Sequence, residues 1–292
     1  MINVKIGGAV QKYELILIWN VKNRGLINGL QPTYYDMPNN CAWNGGRINR
    51  TIELTENIIT TFNKLKYGFC LGFTNNVVID VGDEVGNNLL KMVSGDNNPH
   101  KLHGVVLQSE TLRRYIRKNY PDLKLTYSIT GHPTTDQLNF EGYYKELEAK
   151  YDYIVPKYSH LTQVTELLKA GKLNPAKYEI LINDNCNVTC QFYQEHWSQM
   201  SYINQTVRAP WEEIPEKAYQ VEIKPKTKAV ITHEGNCMQD DVGHTILQQF
   251  YDLGVRHFKI SGRDLEDVEF EHQLPKHLKE IQQIEVGNSI LS

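Results

Sequence analysis

Long apolar runs are missing from this chain. The longest, around Leu15 to Trp19, falls far short of the roughly 20 residues that cross a bilayer, so no membrane insertion is expected. A strong charge of one sign is missing too. The net charge is −3, which argues against a strongly basic nucleic-acid face, although a local patch stays open. Cysteine is scarce and odd in number, at five, and a core drawn from 292 residues needs no disulfide staples. No basic-then-apolar leader opens the sequence, so a cytoplasmic setting is expected. In that setting the Asn-x-Thr triplets at Asn49, Asn187 and Asn204 carry no glycans, and paired cysteines read as ligands or reactive thiols rather than disulfides. No G-x-G-x-x-G or Walker loop follows any strand, which removes support for dinucleotide and P-loop readings. H-E-x-x-H and a Ser-His-Asp pattern are absent as well.

What is present is an alternating rhythm in an ordinary globular composition, 40% hydrophobic and 22% charged. Residues 1–30 read as a lead-in with a short β-like run, Ile2 to Ile6, that caps the bottom of the fold. Apolar runs then recur at Tyr34–Tyr35, Tyr67–Phe73, Gly104–Leu107, Leu123–Tyr127, Tyr151–Val155, Tyr178–Ile182, Lys228–Ile231 and Val255–Ile260. Seven of these eight are followed by a helical segment. One shows Ile58, Ile59 and Phe62 on one face behind Thr51 or Thr55 as cap; another runs from Asp240 to Leu253. Strand–helix alternation implies parallel pairing with right-handed crossovers. Eight units in one domain, residues 1–292, point to a (β/α)8 TIM-like barrel with an aromatic-rich insertion at 191–225; an open doubly wound sheet is the alternative.

In such a barrel, residues just past the strand ends face the catalytic mouth. The densest cluster is ILINDNCNVTCQFYQEH, Ile180 to His196. Four of the five cysteines, Cys41, Cys186, Cys190 and Cys237, fall just past a strand end, where loops rarely carry cysteine; Cys70 lies inside a strand as a core packer. Thiolates suit an iron–sulfur cluster or Zn2+; packed free thiols and a redox dithiol are the plainer readings. Asp184, His196, His233 and Lys157 are the candidate catalytic residues. Imidazole titrates near neutrality, and a desolvated lysine can form a Schiff base. Asn44, Arg47, Asn75, His132 and Arg263 are the candidate substrate contacts, Arg263 as a bidentate clamp. The aromatics Phe192, Tyr193, Trp197, Tyr202 and Trp211 either lid the site or anchor the insertion.

Three segments together, NDNCNVTC followed by EH, THEGNC, and GVRHFKISGRD, resemble the collagenase-like peptidase family. That family includes proteins that hydroxylate ubiquinone precursors, tRNA or rRNA without oxygen. The resemblance runs over roughly residues 100–265 and is clearest at Gly254 to Arg263. It implies a barrel holding a [4Fe–4S] cluster on Cys186, Cys190 and Cys237, with Cys41 as the fourth ligand, and an oxygen-independent hydroxylation or related redox step on a small-molecule substrate. The Cys186–Cys190 spacing is tighter than in most members. The segments PNNCAWNGGR and FTNN resemble a distinct branch linked to bacterial surface-polysaccharide genes. Two rival readings remain: a metal- or Schiff-base-dependent lyase or hydrolase acting on a sugar, and a non-enzymatic binding barrel.

Overall fold

A computed structural model supplies the coordinates. The structure describes residues 1–8, 10, 12–22, 27, 29–38, 41–46, 53–77, 79–133, 138–184, 193–206, 240–241, 244–262 and 267–289. In chain order these form β1 (Ile2–Gly7), α1 (Tyr13–Lys22), β2 (Leu30–Asp36), α2 (Glu56–Leu65), β3 (Gly68–Phe73), α3 (Glu84–Met92), β4 (Gly104–Leu107) and α4 (Glu110–Asn119). There follow β5 (Lys124–Tyr127), α5 (Phe140–Lys150), β6 (Tyr153–Ile154), α6 (Leu161–Lys169), β7 (Glu179–Leu181) and β8 (Asn183–Asp184). Last come α7 (Tyr193–Thr206), β9 (Asp240–Asp241), α8 (His244–Asp252), β10 (His257–Ile260) and α9 (Asp267–Ser289).

Eight strands form one parallel sheet in the order β6-β5-β4-β3-β2-β1-β10-β7. A single parallel bridge, Ile154 to Tyr178, spans the remaining gap between β6 and β7. The result is a nearly closed (β/α)8 TIM-like barrel rather than an open sheet. Alternation along each strand sets the two faces. Ile2, Val4 and Ile6 of β1 join the core against the helices, while Asn3 and Lys5 line the cavity inside the barrel. The same split holds in β3, where Phe69, Leu71 and Phe73 join the outer core and Cys70 lines the inner cavity.

Two expectations change. The stretch expected to cap the barrel's bottom, Ile2 to Ile6, is barrel strand β1, paired with β2 on one side and β10 on the other. Its period-2 pattern of apolar and polar residues is that of a barrel strand. The expected strand Lys228–Ile231 lies outside the described residues. The helix expected from Asp240 starts at His244, and Asp240–Asp241 instead pairs antiparallel with Asn183–Asp184.

The helices follow their sequence signals. Helix α2 has Thr55 as N-cap and buries Ile58, Ile59 and Phe62; Phe62 stacks on Tyr34 with centroids 5.0 Å apart. Full burial of one such side chain contributes about 1.5–3 kcal/mol. Ser109 caps α4 by accepting from the Leu112 N–H at 3.3 Å, and Asp83 caps α3 by accepting from the Gly86 N–H at 2.8 Å. A Cβ at Gly86 would lie 2.3 Å from the Trp43 ring, so α3 can dock on the β2 loop only with glycine there. The tail helix α9 buries Leu274, Leu278, Ile281 and Ile284 and packs on α8 and β10. Among the described residues no helix is long and apolar enough to cross a membrane.

Candidate active site

The C-terminal strand ends gather most of the candidate residues that the structure describes, on three groups of loops. The first group joins the loops after β1, β2 and β3. Asp36 accepts from the Val10 and Met37 N–H groups, both at 2.8 Å, and so ties the β1 loop to the β2 loop. Cys41 is reduced and fully buried; its thiol donates to Asp83 Oδ2 at 3.4 Å and its sulfur accepts from the Trp43 N–H. Trp43 anchors the loop by donating Nε1–H to the Asp80 carbonyl at 2.8 Å and meeting Phe73 edge-on.

Asn44 and Asn75 are fully buried, and both spend their amides on backbone. The amide orientation that satisfies both ends of Asn44 donates to the Gly72 carbonyl and accepts from the Cys41 N–H, each at 3.1 Å. Asn75 donates to the carbonyls of Ala42 and Ser201 at 3.0 Å and accepts from the Val77 N–H at 2.8 Å. Its bonds therefore join the β2 loop, the β3 loop and α7. A Cβ on Gly45 would come within 2.2 Å of the Thr74 carbonyl, so the two loops touch only because that residue is glycine.

The second group surrounds β5 and β6. His132 is fully buried; its Nε2–H donates to the Val155 carbonyl at 2.7 Å and its Nδ1 accepts from the Tyr143 hydroxyl at 3.0 Å. Burial lowers its pKa to about 3, the carbonyl bond opposing, and the positive field of Lys157 adds to the drop. His160 shares a bond with the Tyr144 hydroxyl at 3.0 Å, and its pKa is lowered to about 4 by burial and then by Lys157. Both imidazoles are therefore neutral near pH 7. Lys157 is itself buried, with its Nζ 4.3 Å from the centre of the Tyr193 ring. Tyr193 is held in turn by donating to the Ile129 carbonyl at 3.0 Å. Helix α7 thus lies over this side of the mouth, with buried His196 stacked flat on Trp197.

The third group joins β7 to β10. Asn183 accepts from the Ser261 N–H at 2.7 Å and donates to the Ser261 carbonyl at 3.1 Å. The next residue, Asp184, pairs with Asp240 across β8 and β9. Cys186, Cys190, His233, Cys237, Arg47 and Arg263 lie outside the described residues. Among the described residues no group of three or more His, Cys, Asp or Glu converges as a metal site.

Three features escaped the sequence reading. His160 was not singled out, because one histidine in a loop carries no pattern. Tyr193 was seen only as one of several loop aromatics. The third is a set of charges inside the barrel: Lys5 on β1 pairs with Glu179 on β7 at 2.7 Å, both buried, and buried Lys259 on β10 lies 4.2 Å from the centre of the Tyr35 ring. Charged residues in the middle of apolar strands, as in I-N-V-K-I and H-F-K-I, are the signal that could have found them.

Among solved structures, that of the U32 peptidase Mk0906 is similar in fold. The likeness has a TM-score of 0.54 at 11% sequence identity and covers 90% of this chain and 93% of that one. It supports the remote resemblance to the collagenase-like family, at the level of the barrel. No protein-family model matches the chain, and no curated protein matches its sequence.

Proposed function

We propose that the chain is a barrel enzyme working at its C-terminal mouth, with a [4Fe–4S] cluster held by Cys186, Cys190 and Cys237. The observation that carries this reading is the pairing of Asn183–Asp184 with Asp240–Asp241. Cys186 follows Asp184 by two residues and Cys237 precedes Asp240 by three. Bound there, the cluster would supply electron transfer for an oxygen-independent hydroxylation or related redox step. Lys157, His196 and His233, with Asp184, would handle protons, and Arg47 and Arg263 would hold an anionic part of the substrate. Asn44, Asn75 and His132 keep the loops in place around it. Cys41 can serve as the fourth ligand only by giving up its bond to Asp83, whose carboxylate would repel the thiolate that a metal requires.

Iron and sulfide analysis after anaerobic purification tests this directly. Cluster-loaded protein is brown, and Cys186→Ser, Cys190→Ser and Cys237→Ser each lose iron, whereas Cys70→Ala keeps it. Cys41→Ser decides the fourth ligand. Iron retained in all variants, or zinc found in place of iron, removes the cluster reading.

A second reading rests on Lys157. Its buried Nζ, beside two neutral histidines, is placed for an amine that condenses with a substrate carbonyl, forming an imine and releasing water. A lyase or hydrolase acting on a sugar would work this way. Borohydride would then fix a carbonyl substrate covalently on Lys157, and Lys157→Arg would abolish the adduct.

A further inference from the structure

Helix α7 lies over the catalytic mouth and is fastened on two sides by polar bonds. At its start the Tyr193 hydroxyl donates to the Ile129 carbonyl, in the turn that follows β5, at 3.0 Å. Further along, Asn76 in the β3 loop donates its backbone N–H to Ser201 Oγ at 3.2 Å and its side-chain amide to Ser198 Oγ at 2.9 Å. Asn75 adds a bond to the Ser201 carbonyl at 3.0 Å. The helix therefore bridges the ends of β3 and β5, which have β4 between them.

Lys157 meets the first turn of this helix. Its ammonium sits 4.3 Å from the centre of the Tyr193 ring, and both side chains are buried. A substrate cannot approach Nζ on the side that the ring covers. The grip of α7 also suits release. Tyr193, His196, Met200 and Ser201 form its buried face at helical spacing, with Gln194 and Glu195 exposed on the other side. Among the described side chains of that face, Met200 is the one aliphatic residue, whereas α9 docks with Leu274, Leu278, Ile281 and Ile284. Lifting α7 therefore returns less aliphatic surface to water than lifting α9 would. The hydroxyls and amides that hold it to the β3 loop can bond water instead.

We propose that α7 is a lid over Lys157: closed in this structure, it lifts to admit a substrate and shuts to exclude water while the amine reacts. Tyr193 is the part of the lid that meets the ammonium, and Asn76 with Ser198 forms its outer latch. The purpose of the lid rests on the second reading above, in which Lys157 condenses with a substrate carbonyl. The motion itself does not need that reaction and is tested without it.

Acetylation of the full chain by sulfosuccinimidyl acetate, followed lysine by lysine with mass spectrometry, reads the opening. Lys5 and Lys259 are buried inside the barrel to the same degree as Lys157 and serve as references. Lys157 should be acetylated at least about tenfold faster than either. Urea below the unfolding transition should leave its rate nearly flat while theirs climb, because a local opening exposes little surface. The variant Tyr193→Phe/Asn76→Ala removes one bond from each side of the lid, keeps the ring over the ammonium and touches no barrel strand. It should speed acetylation of Lys157 by a further factor of about ten. Lys157 acetylated no faster than Lys5 and Lys259 overturns the lid, and so does an unchanged Lys157 rate in the variant. Fast acetylation of Lys157 with no borohydride adduct leaves the lid standing and removes the imine reading alone.

Discussion

At the scale of single residues, buried histidine governs how this protein responds to acid. His132, His103 and His160 are all buried, and burial lowers their pKa values from 6.5 to about 3, about 4 and about 4. Hydrogen bonds hold two of them neutral: His103 Nδ1 accepts from the Phe69 N–H at 3.0 Å, and His132 Nδ1 from Tyr143. The unfolded chain takes up protons below pH 6.5 that the folded chain refuses. Stability is therefore full above that pH and falls as pH drops toward 4, by up to about 1.4 kcal/mol per histidine per pH unit. Urea denaturation at a series of pH values should show that slope. His132→Phe should cost about 2–4 kcal/mol at pH 7, because the Val155 carbonyl loses the His132 N–H and the Tyr143 hydroxyl keeps only its longer bond to Tyr127, at 3.4 Å. It should also flatten the slope between pH 6.5 and 4 by about one proton. An unchanged slope would mean that His132 is protonated in the native state. The sequence pointed to His132, as a substrate contact, because it follows a strand. Its two bonds within the β5–β6 group depend on which loops meet, and spacing along the chain does not record that.

At the scale of elements, helix ends were more legible than strand partners. Thr55, Ser109 and Gly171 lie at helix boundaries of the kind that caps and left-handed glycines mark, and Gly171 has a φ of 65°. Helix α2 ends differently. Its C-cap is Lys66, at φ 57° and ψ 39°, a conformation that costs a side-chain-bearing residue roughly 1 kcal/mol and costs glycine nothing. Lys66 is exposed, and its carbonyl, which accepts from Gln31 Nε2 at 2.8 Å, is backbone. Lys66→Gly therefore removes strain without removing a contact. It should stabilise the chain by about 0.5–1 kcal/mol and raise Tm by about 1–3 °C. A loss of stability on thermal unfolding would show that the lysine side chain makes a contact worth more than the strain. Strand β1 was harder to read. Its apolar residues alternate with Asn3 and Lys5 over only six residues, and nothing local tells an edge cap from the strand that lies between β2 and β10.

At the scale of the whole molecule, the barrel has a seam. Strand β6 has two residues, and one bridge joins it to the chain leading into β7, whereas β1 and β2 pair along six positions. Strand–helix alternation made the ring legible, but not where it closes least, since that depends on twist and on the lengths of strands that do not touch. A brace crosses the interior near this seam. Lys5 on β1 donates to Thr126 on β5 and pairs with Glu179 on β7, linking strands that are not neighbours. Hydrogen exchange should be fastest at the amides around β6, such as Val155 N–H bonded to the Tyr127 carbonyl, and slowest in β1 and β2. Lys5→Met should cost about 3–5 kcal/mol, because it leaves the Glu179 carboxylate buried and uncompensated. The loss should be localised as faster exchange in β6 and β7. Lys5→Met/Glu179→Gln should recover part of the stability, since no buried charge is then left over, yet exchange at the seam should stay fast because the cross-barrel link is gone. If the double variant restored slow exchange at β6 and β7, the lysine would matter only as a countercharge, and the barrel would be held closed by its outer helices instead.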